Sequence, residues 1–270
     1  MTRLTVKDID GLDQGFSAYD RELIEKTGMT LGEIACFSAG ISPQEFQEAG
    51  EDYRVAVVPI TAGEGIIGGF AQSVQGIVAS LGFQVSVTRE TDVDGIFEAV
   101  SSGSEIIFMA DDVRFIAINL HNKRIADNGE ATGRGYVAAL NGMAKDLNGC
   151  EVLVLGFGQV GSPAVEFLLE LGAKPAVYDI DEEKLHHIDK NKVQVEKDLR
   201  AALPKYHYLI DATPENSFIA PELLDGKAKI AAPGIPLGLT PEAYGKFKGA
   251  TIHDPLQIGV AAMLALAVKP

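Results

Sequence analysis

The sequence predicts an α/β protein of two domains: a small N-terminal α/β domain and a C-terminal nucleotide-binding α/β domain. Three observations carry that expectation. The 270 residues suffice for two cores at about 150 residues per domain. Short continuous apolar runs alternate with helix-length segments, as in parallel sheets covered on both faces. A strand, glycine-rich turn and helix pattern also occurs twice, after residues 55–58 and again after 152–155. The first domain is expected over 1–131. The second, over 132–270, takes in a connecting helix and a C-terminal helix packing back.

The chain opens on a helix pattern. Thr5 with Asp8 three residues on resembles a capping pair. Ile9, Leu12, Phe16, Tyr19 and Leu23 then recur at steps of three and four as one apolar stripe. A turn-rich stretch is expected from Gly28 to Pro43. Residues 55–58, 83–88 and 106–109 read as strands and 70–81 and 93–100 as helices, giving a parallel sheet. Residues 132–147 read as the connecting helix, stopped at Asn148-Gly149. In the second domain 152–155, 176–179, 208–211 and 229–232 read as strands, with a helix to Leu171 after the first. The apolar run 258–268 is expected to be a helix.

Lys plus Arg number 23 and Asp plus Glu 38, a formal charge of −15. Proteins that track nucleic-acid phosphates or lie on anionic membranes need a basic face, so neither partner is expected. A cationic small molecule fits better. The run 258–268 is about half the ~20 residues of a membrane-spanning helix, and residues 1–13 lack the apolar core of a secretory signal. Cys36 and Cys150, far apart, fit a reducing compartment. A soluble cytoplasmic protein is expected, with a homodimer as the commonest assembly. His121, His186, His187, His207 and His253 match no metal-ligand spacing, so no metal is expected.

The most informative local signal is Gly156-Phe157-Gly158-Gln159-Val160-Gly161, set between a strand and a helix. The first glycine permits the tight turn, the second lets backbone approach a pyrophosphate, and the third lets the helix pack on the sheet. The helix N-terminus offers free N–H groups to the phosphates. Asp179 ends the next strand, where a carboxylate accepts from both adenosine-ribose hydroxyls and repels a 2′-phosphate. Together these features predict a Rossmann-type domain that binds NAD rather than NADP. The loops Asp211-Ala212-Thr213-Pro214 and Pro233-Gly234-Ile235-Pro236 follow later strands on the same carboxyl edge. Ala212, Thr213, Pro214, Pro233 and Gly234 are therefore expected to border the cofactor.

The first domain holds a second glycine-rich loop, beginning Thr61-Ala62-Gly63, without the Lys-Ser/Thr ending of a phosphate loop. Its N–H groups suit a substrate carboxylate; equally, it is a flexible turn. Asp111 and Asp112 follow the third strand. They read either as an ammonium site in which one carboxylate raises its neighbour's pKa and serves as a base, or as a helix cap. Asp127, Asn128 and Thr132 precede the connecting helix, as pocket residues or caps.

Several of these segments recur together in one family. VAVVPITAGEGIIGGF (55–70), MADD (109–112) followed by Phe-x-Ala-x-Asn (115–119), and IADN (125–128) with Thr132-Gly133 lie in the first domain. GFGQVGSPA, the DATP and PGIP loops, and PLQIGVAAML continue the pattern. Along nearly its whole length the chain resembles the PylD family, dehydrogenases that complete pyrrolysine biosynthesis. The resemblance implies NAD-dependent oxidation of the terminal amine of 3-methylornithyl-N6-lysine, a cationic dipeptide-like substrate, with loss of ammonia and closure of a pyrroline ring. It implies Asp111 or Asp112 as the group that binds and deprotonates the amine, and Thr61, Ala62 and Gly63 as the substrate-holding loop. It also implies an N-terminal helix, with Leu4 at its entry, that closes over the substrate, and Asp127, Asn128 and Asn119 as further pocket residues. A shikimate- or methylene-tetrahydrofolate-type dehydrogenase shares this architecture, but such an enzyme is expected to carry a catalytic Lys in the first domain's pocket, and none lies in 55–70. A non-catalytic NAD-sensing module is the third reading.

Overall fold

The computed structural model describes Thr5 and residues 15–270. Of the expected N-terminal helix, Leu4, Ile9 and Leu12 lie outside the described residues. The chain forms two compact units. One holds the residues before Leu23, Thr30–Gly135 and Pro255–Pro270; the other holds Leu23–Met29 and Tyr136–Asp254.

Helix α1 (Phe16–Thr27) is followed by α2 (Leu31–Ala39), where the sequence reading expected turns, and by α3 (Pro43–Asp52), which begins at the end of that stretch. Each of the latter two starts in a reciprocal cap. Thr30 accepts the Glu33 N–H while Glu33 accepts the Thr30 N–H at 2.8 Å, and Ser42 and Glu45 repeat the exchange. The signal was present as Thr-x-x-Glu and Ser-x-x-Glu.

In the first unit β1 (Arg54–Pro59), β2 (Gln84–Val87) and β3 (Ile106–Ala110) pair in parallel in the order β2-β1-β3. Helices α4 (Phe70–Ser80) and α5 (Asp92–Ser101) make the crossovers, burying Val74, Ile77, Val78 and Ala99. The sheet is not wholly parallel, which corrects the sequence reading. Two antiparallel strands, β4 (Phe115–Asn119) and β5 (Arg124–Asp127), extend it beyond β3. The β3–β4 connection is far too short for a parallel crossover, which takes a dozen or more residues. Phe115, Ala117 and Asn119 are buried while Ile116 and Ile118 are half-buried, the alternation of an antiparallel strand.

Helix α6 (Asn128–Ala144) begins in the first unit and ends in the second. The second unit then lays down β6 (Glu151–Leu155), α7 (Gly161–Glu170), β7 (Lys174–Tyr178), β8 (Gln194–Val195), α8 (Leu199–Ala202), β9 (Tyr208–Asp211), β10 (Lys229–Ala231), α9 (Pro241–Phe247) and β11 (Thr251–Ile252). All six strands are parallel, in the order β11-β10-β9-β6-β7-β8. Growth of the sheet reverses between β6 and β9, the switch point where open α/β sheets bind ligands outside the carboxyl ends of their strands. Leu153, Leu155, Leu209 and Ile230 fill its core without exposure.

The chain ends in α10 (Gln257–Val268), whose residues are buried on nearly every side, so no polar face marks it as a surface helix. It belongs to the first unit, packed on α2, α4, β4 and β5.

Candidate functional site

Three loops meet at the carboxyl edge of the second sheet. The Gly156 N–H donates to the Tyr178 carbonyl at 2.8 Å, the Ala212 N–H to Leu155 at 2.9 Å, and the Gly234 N–H to Asp211 at 2.8 Å. The expected cofactor residues 156–161, 212–214 and 233–234 are thereby brought together. Gly158 and Gln159 form the exposed tip, with Phe157 and Val160 half-buried at its shoulders. A Cβ on Gly161 would collide with the Gly156 carbonyl oxygen, whereas one on Gly158 would meet nothing within 4 Å. The third glycine thus serves packing, and the second faces open space where a pyrophosphate fits. Among the described residues no side chain caps α7, so its positive end is left to an anion. The donor set suits a dinucleotide.

Asp179, only 9% exposed, stands one residue past β7. Its Oδ2 accepts the Phe157 N–H at 2.7 Å and its Oδ1 the Asp181 N–H at 2.8 Å. Each oxygen keeps a lone pair for a ribose hydroxyl. Lys184 Nζ lies 3.5 Å from Oδ2, a cation absent from the sequence reading. At the end of β9, Asp211 is completely buried. Its Oδ1 accepts both the N–H and the hydroxyl of Thr213, at 3.2 and 2.7 Å. Burial pushes this carboxyl up to about 6, against the opposing pull of the Thr213 bonds, the Gly238 backbone N–H and the His253 charge.

The first unit gathers its candidates at the carboxyl ends of β1 and β3. Asp92 holds the start of the 61–69 loop, accepting the Thr61 N–H at 2.8 Å and its hydroxyl at 2.6 Å. These bonds lower the Asp92 pKa. Asp112 Oδ2 accepts the Glu64 N–H at 2.6 Å, in a position that a Cβ on Gly63 would invade. At Thr61 and Glu64, then, the amides that the sequence reading offered to a substrate carboxylate are taken by the protein's own acids. Asp92 escaped that reading because it is 31 positions away and its φ of +52° carries no sequence mark.

Asp111 builds the β3–β4 turn. Its Oδ1 accepts the Val113 and Arg114 amides at 2.8 and 2.7 Å, and the Arg114 bond first, then Val113, lowers its pKa. Asp111 is therefore not the neighbour-raised base considered from sequence; it is a pinned anion. Among the described residues its Oδ2 has no hydrogen-bond partner.

Asn119 is corrected as a pocket residue. It is fully buried, its amide donates to the Ala267 carbonyl at 3.0 Å, and its Oδ1 accepts the His121 and Asn122 amides. The side chain ties the β4–β5 turn to α10. Asp127 accepts the Gly129 N–H at 2.8 Å as a cap and pairs with Arg114 at 3.1 Å. Asn128 Oδ1 accepts the Thr132 hydroxyl at 3.3 Å, both facing Gly259. The two cysteines are free thiols, and among the described residues no group of His, Cys, Asp and Glu could hold a metal. No described helix is long and apolar enough to cross a membrane.

Comparison with known proteins covers both units. Residues 8–126 match the family "Pyrrolysine biosynthesis protein PylD, N-terminal domain", and residues 125–206 match Glutamate/Leucine/Phenylalanine/Valine dehydrogenase. Pyrrolysine synthase of Methanosarcina barkeri is 34% identical over 264 residues, 98% of this chain and 97% of that protein. The Methanosarcina acetivorans pyrrolysine synthase is 31% identical, covering 98% of each. Among solved structures, the bifunctional FolD methylenetetrahydrofolate dehydrogenase/cyclohydrolase of Campylobacter jejuni superposes with a TM-score of 0.55 at 13% identity, covering 95% of this chain and 96% of that one. That likeness is one of fold.

Proposed function

This chain belongs to the PylD family of pyrrolysine biosynthesis proteins, and from that premise we propose that it is the NAD-dependent enzyme that oxidises the terminal amine of 3-methylornithyl-N6-lysine and closes the pyrroline ring. The observation that carries this reading is the 34% identity to a pyrrolysine synthase, maintained over 98% of the chain.

NAD, when bound, accepts a hydride from the carbon that bears the amine. Gly156, Gly158, Gly161 and the N-terminus of α7 hold its pyrophosphate, with Phe157, Gln159 and Val160 shaping the tip. Asp179 takes the adenosine-ribose hydroxyls and repels a 2′-phosphate, which favours NAD over NADP. Ala212, Thr213, Pro214, Pro233 and Gly234 border the nicotinamide half.

On the substrate side Asp111 holds the ammonium through Oδ2, and Asp112 fixes the loop of Thr61, Ala62 and Gly63 on which the substrate chain rests. Asp127 and Asn128 stand at the rim. An ammonium has no lone pair to drive hydride loss, so one proton must leave first. The backbone bonds on Asp111 disfavour its acid form, so a proton passed to it is handed on to solvent. Hydride departure leaves an iminium carbon, cationic like the ammonium before it, beside the same carboxylate. The substrate's neutral α-amine adds to that carbon, ammonia leaves, and a cyclic imine remains.

NADH formation at 340 nm with a lysine-Nε-ornithine dipeptide tests the assignment. The wild type forms NADH, and Asp111→Asn slows it by about 10²–10³-fold with NAD binding retained. Full rates in both Asp111→Asn and Asp112→Asn would overturn the carboxylate assignment.

A further inference from the structure

Asp211 is an expensive residue for a loop. A carboxylate taken fully out of water costs several kcal/mol unless all its lone pairs are met. Here Oδ1 takes both donors of Thr213, while Oδ2 is buried, makes no well-formed hydrogen bond among the described residues, and has only the Gly238 backbone against it, a weaker donor. The chain encloses it deliberately. A Cβ on Gly238 would collide with Oδ2, and one on Gly234 would collide with the Thr213 carbonyl. Asp211 also receives the Gly234 N–H on its own carbonyl, so one residue joins the 211–214 and 233–238 turns. Both turns end strands on the β9–β10–β11 side of the switch point, opposite the β6–β7 side that carries the glycine cradle and Asp179.

We propose that Asp211 is a positioning residue for the nicotinamide half of the cofactor: by accepting the hydrogen bond that the Thr213 hydroxyl donates, it leaves the Thr213 oxygen as a fixed hydrogen-bond acceptor toward that half. The proposal rests on the NAD-binding reading above and assigns the contact its polarity. A hydroxyl whose hydrogen is committed to a carboxylate can only accept in its remaining directions. The acceptor's complement is a donor, a ribose hydroxyl or the carboxamide NH₂, both of which the adenosine diphosphate half lacks at this position. Protonation of Asp211 weakens its claim on the Thr213 hydrogen and loosens the arrangement. The groups around Asp211 are Leu155 from β6, Gly234, Gly238 and Phe218 from the turns, and His253 after β11. Of these His253 is the one ionisable side chain; its Nδ1 lies 2.8 Å from the Ala232 carbonyl, which fixes the ring at the same edge.

Calorimetric titration of the full chain with NAD and, in parallel, with ADP tests this. ADP fills the cradle at Gly156, which Thr213 borders, but brings no nicotinamide ribose or carboxamide to donate to the Thr213 oxygen. In Asp211→Asn and in Thr213→Val, NAD binding weakens about tenfold, the scale of one lost charge-assisted contact, while ADP binding stays within about twofold. Thr213→Ser restores NAD binding, since the hydroxyl returns. In the wild type the preference for NAD over ADP declines as pH falls through about 6, and in Asp211→Asn it is flat with pH. Equal losses for NAD and ADP, or NAD binding unchanged in both variants, would overturn the positioning role. Failure of the wild type to bind either ligand would instead remove the cofactor reading on which it rests.

Discussion

The two glycine-rich loops look alike as sequence and are built for different work. Both follow a buried strand and open a helix, at 61–69 before α4 and at 156–161 before α7. In the first, the Thr61 and Glu64 amides are already bonded to Asp92 and Asp112, so the loop is tied down by its own acids. In the second, Gly161 lies against the Gly156 carbonyl while Gly158 faces open space. Counting glycines does not separate the two loops; what separates them is what the packed glycine meets, the Asp112 carboxylate at Gly63 and the Gly156 backbone carbonyl at Gly161.

That contrast can be broken or sharpened by substitution. Gly161→Ala has the largest expected effect. The added methyl meets backbone, which cannot yield as a flexible side chain does, and the second unit loses about 3 kcal/mol in thermal unfolding, together with NAD binding. Gly158→Ala sharpens the distinction, because its methyl meets nothing in the protein: the melting temperature stays, and NAD affinity falls at least about tenfold.

Asp211 marks the second edge in another way. Its carboxyl is raised in the folded state, from 3.8 to about 6, so the ionised form is the one that folding penalises. The penalty is absent below pH ~4, grows between ~4 and ~6, and is complete above, with a ceiling of roughly 3 kcal/mol for a shift of about two units. Asp211→Asn is therefore expected to melt higher than wild type at pH 7.5, by about 1–2 kcal/mol of stability, and to melt level with wild type at pH 4. Stability and NAD affinity move in opposite directions at this position.

On the first edge, Asp112→Asn loosens the 61–69 loop and lowers kcat/KM for the dipeptide about tenfold, with the Kd for NAD unchanged. The smallest effect belongs to Lys184→Ala. Nearly half-exposed and 3.5 Å from Asp179, its pair is worth under about 1 kcal/mol, and melting shifts by no more than a few degrees.

Much of the second unit was legible in the sequence. The strand 208–211 is found where its apolar run predicts it, and Gly156 through Gly161 are tied to Asp179 by a bond from the Phe157 N–H, within one chain segment whose spacing displays it. The first unit hid more. Its antiparallel β4 and β5 are short, and Phe115-x-Ala117-x-Asn119 was read as a family motif rather than as a period-two strand. The capping boxes at Thr30 and Ser42 lay inside a stretch whose glycines and proline suggested turns. Asn119 looked available because it is polar, yet its Oδ1 is taken by the His121 and Asn122 amides and its Nδ2 by Ala267 on α10, 148 positions away. The orphaned oxygen of Asp211 depends on Gly238 closing over it, a contact no local pattern encodes.

The central claim is that the chain oxidises an amine and closes a ring. Its most direct test is to measure NADH, free ammonia and the cyclic product by mass spectrometry in one reaction with NAD and the lysine-Nε-ornithine dipeptide. The three are expected in equal amounts. NADH without ammonia, or NAD bound with no NADH formed, would contradict it.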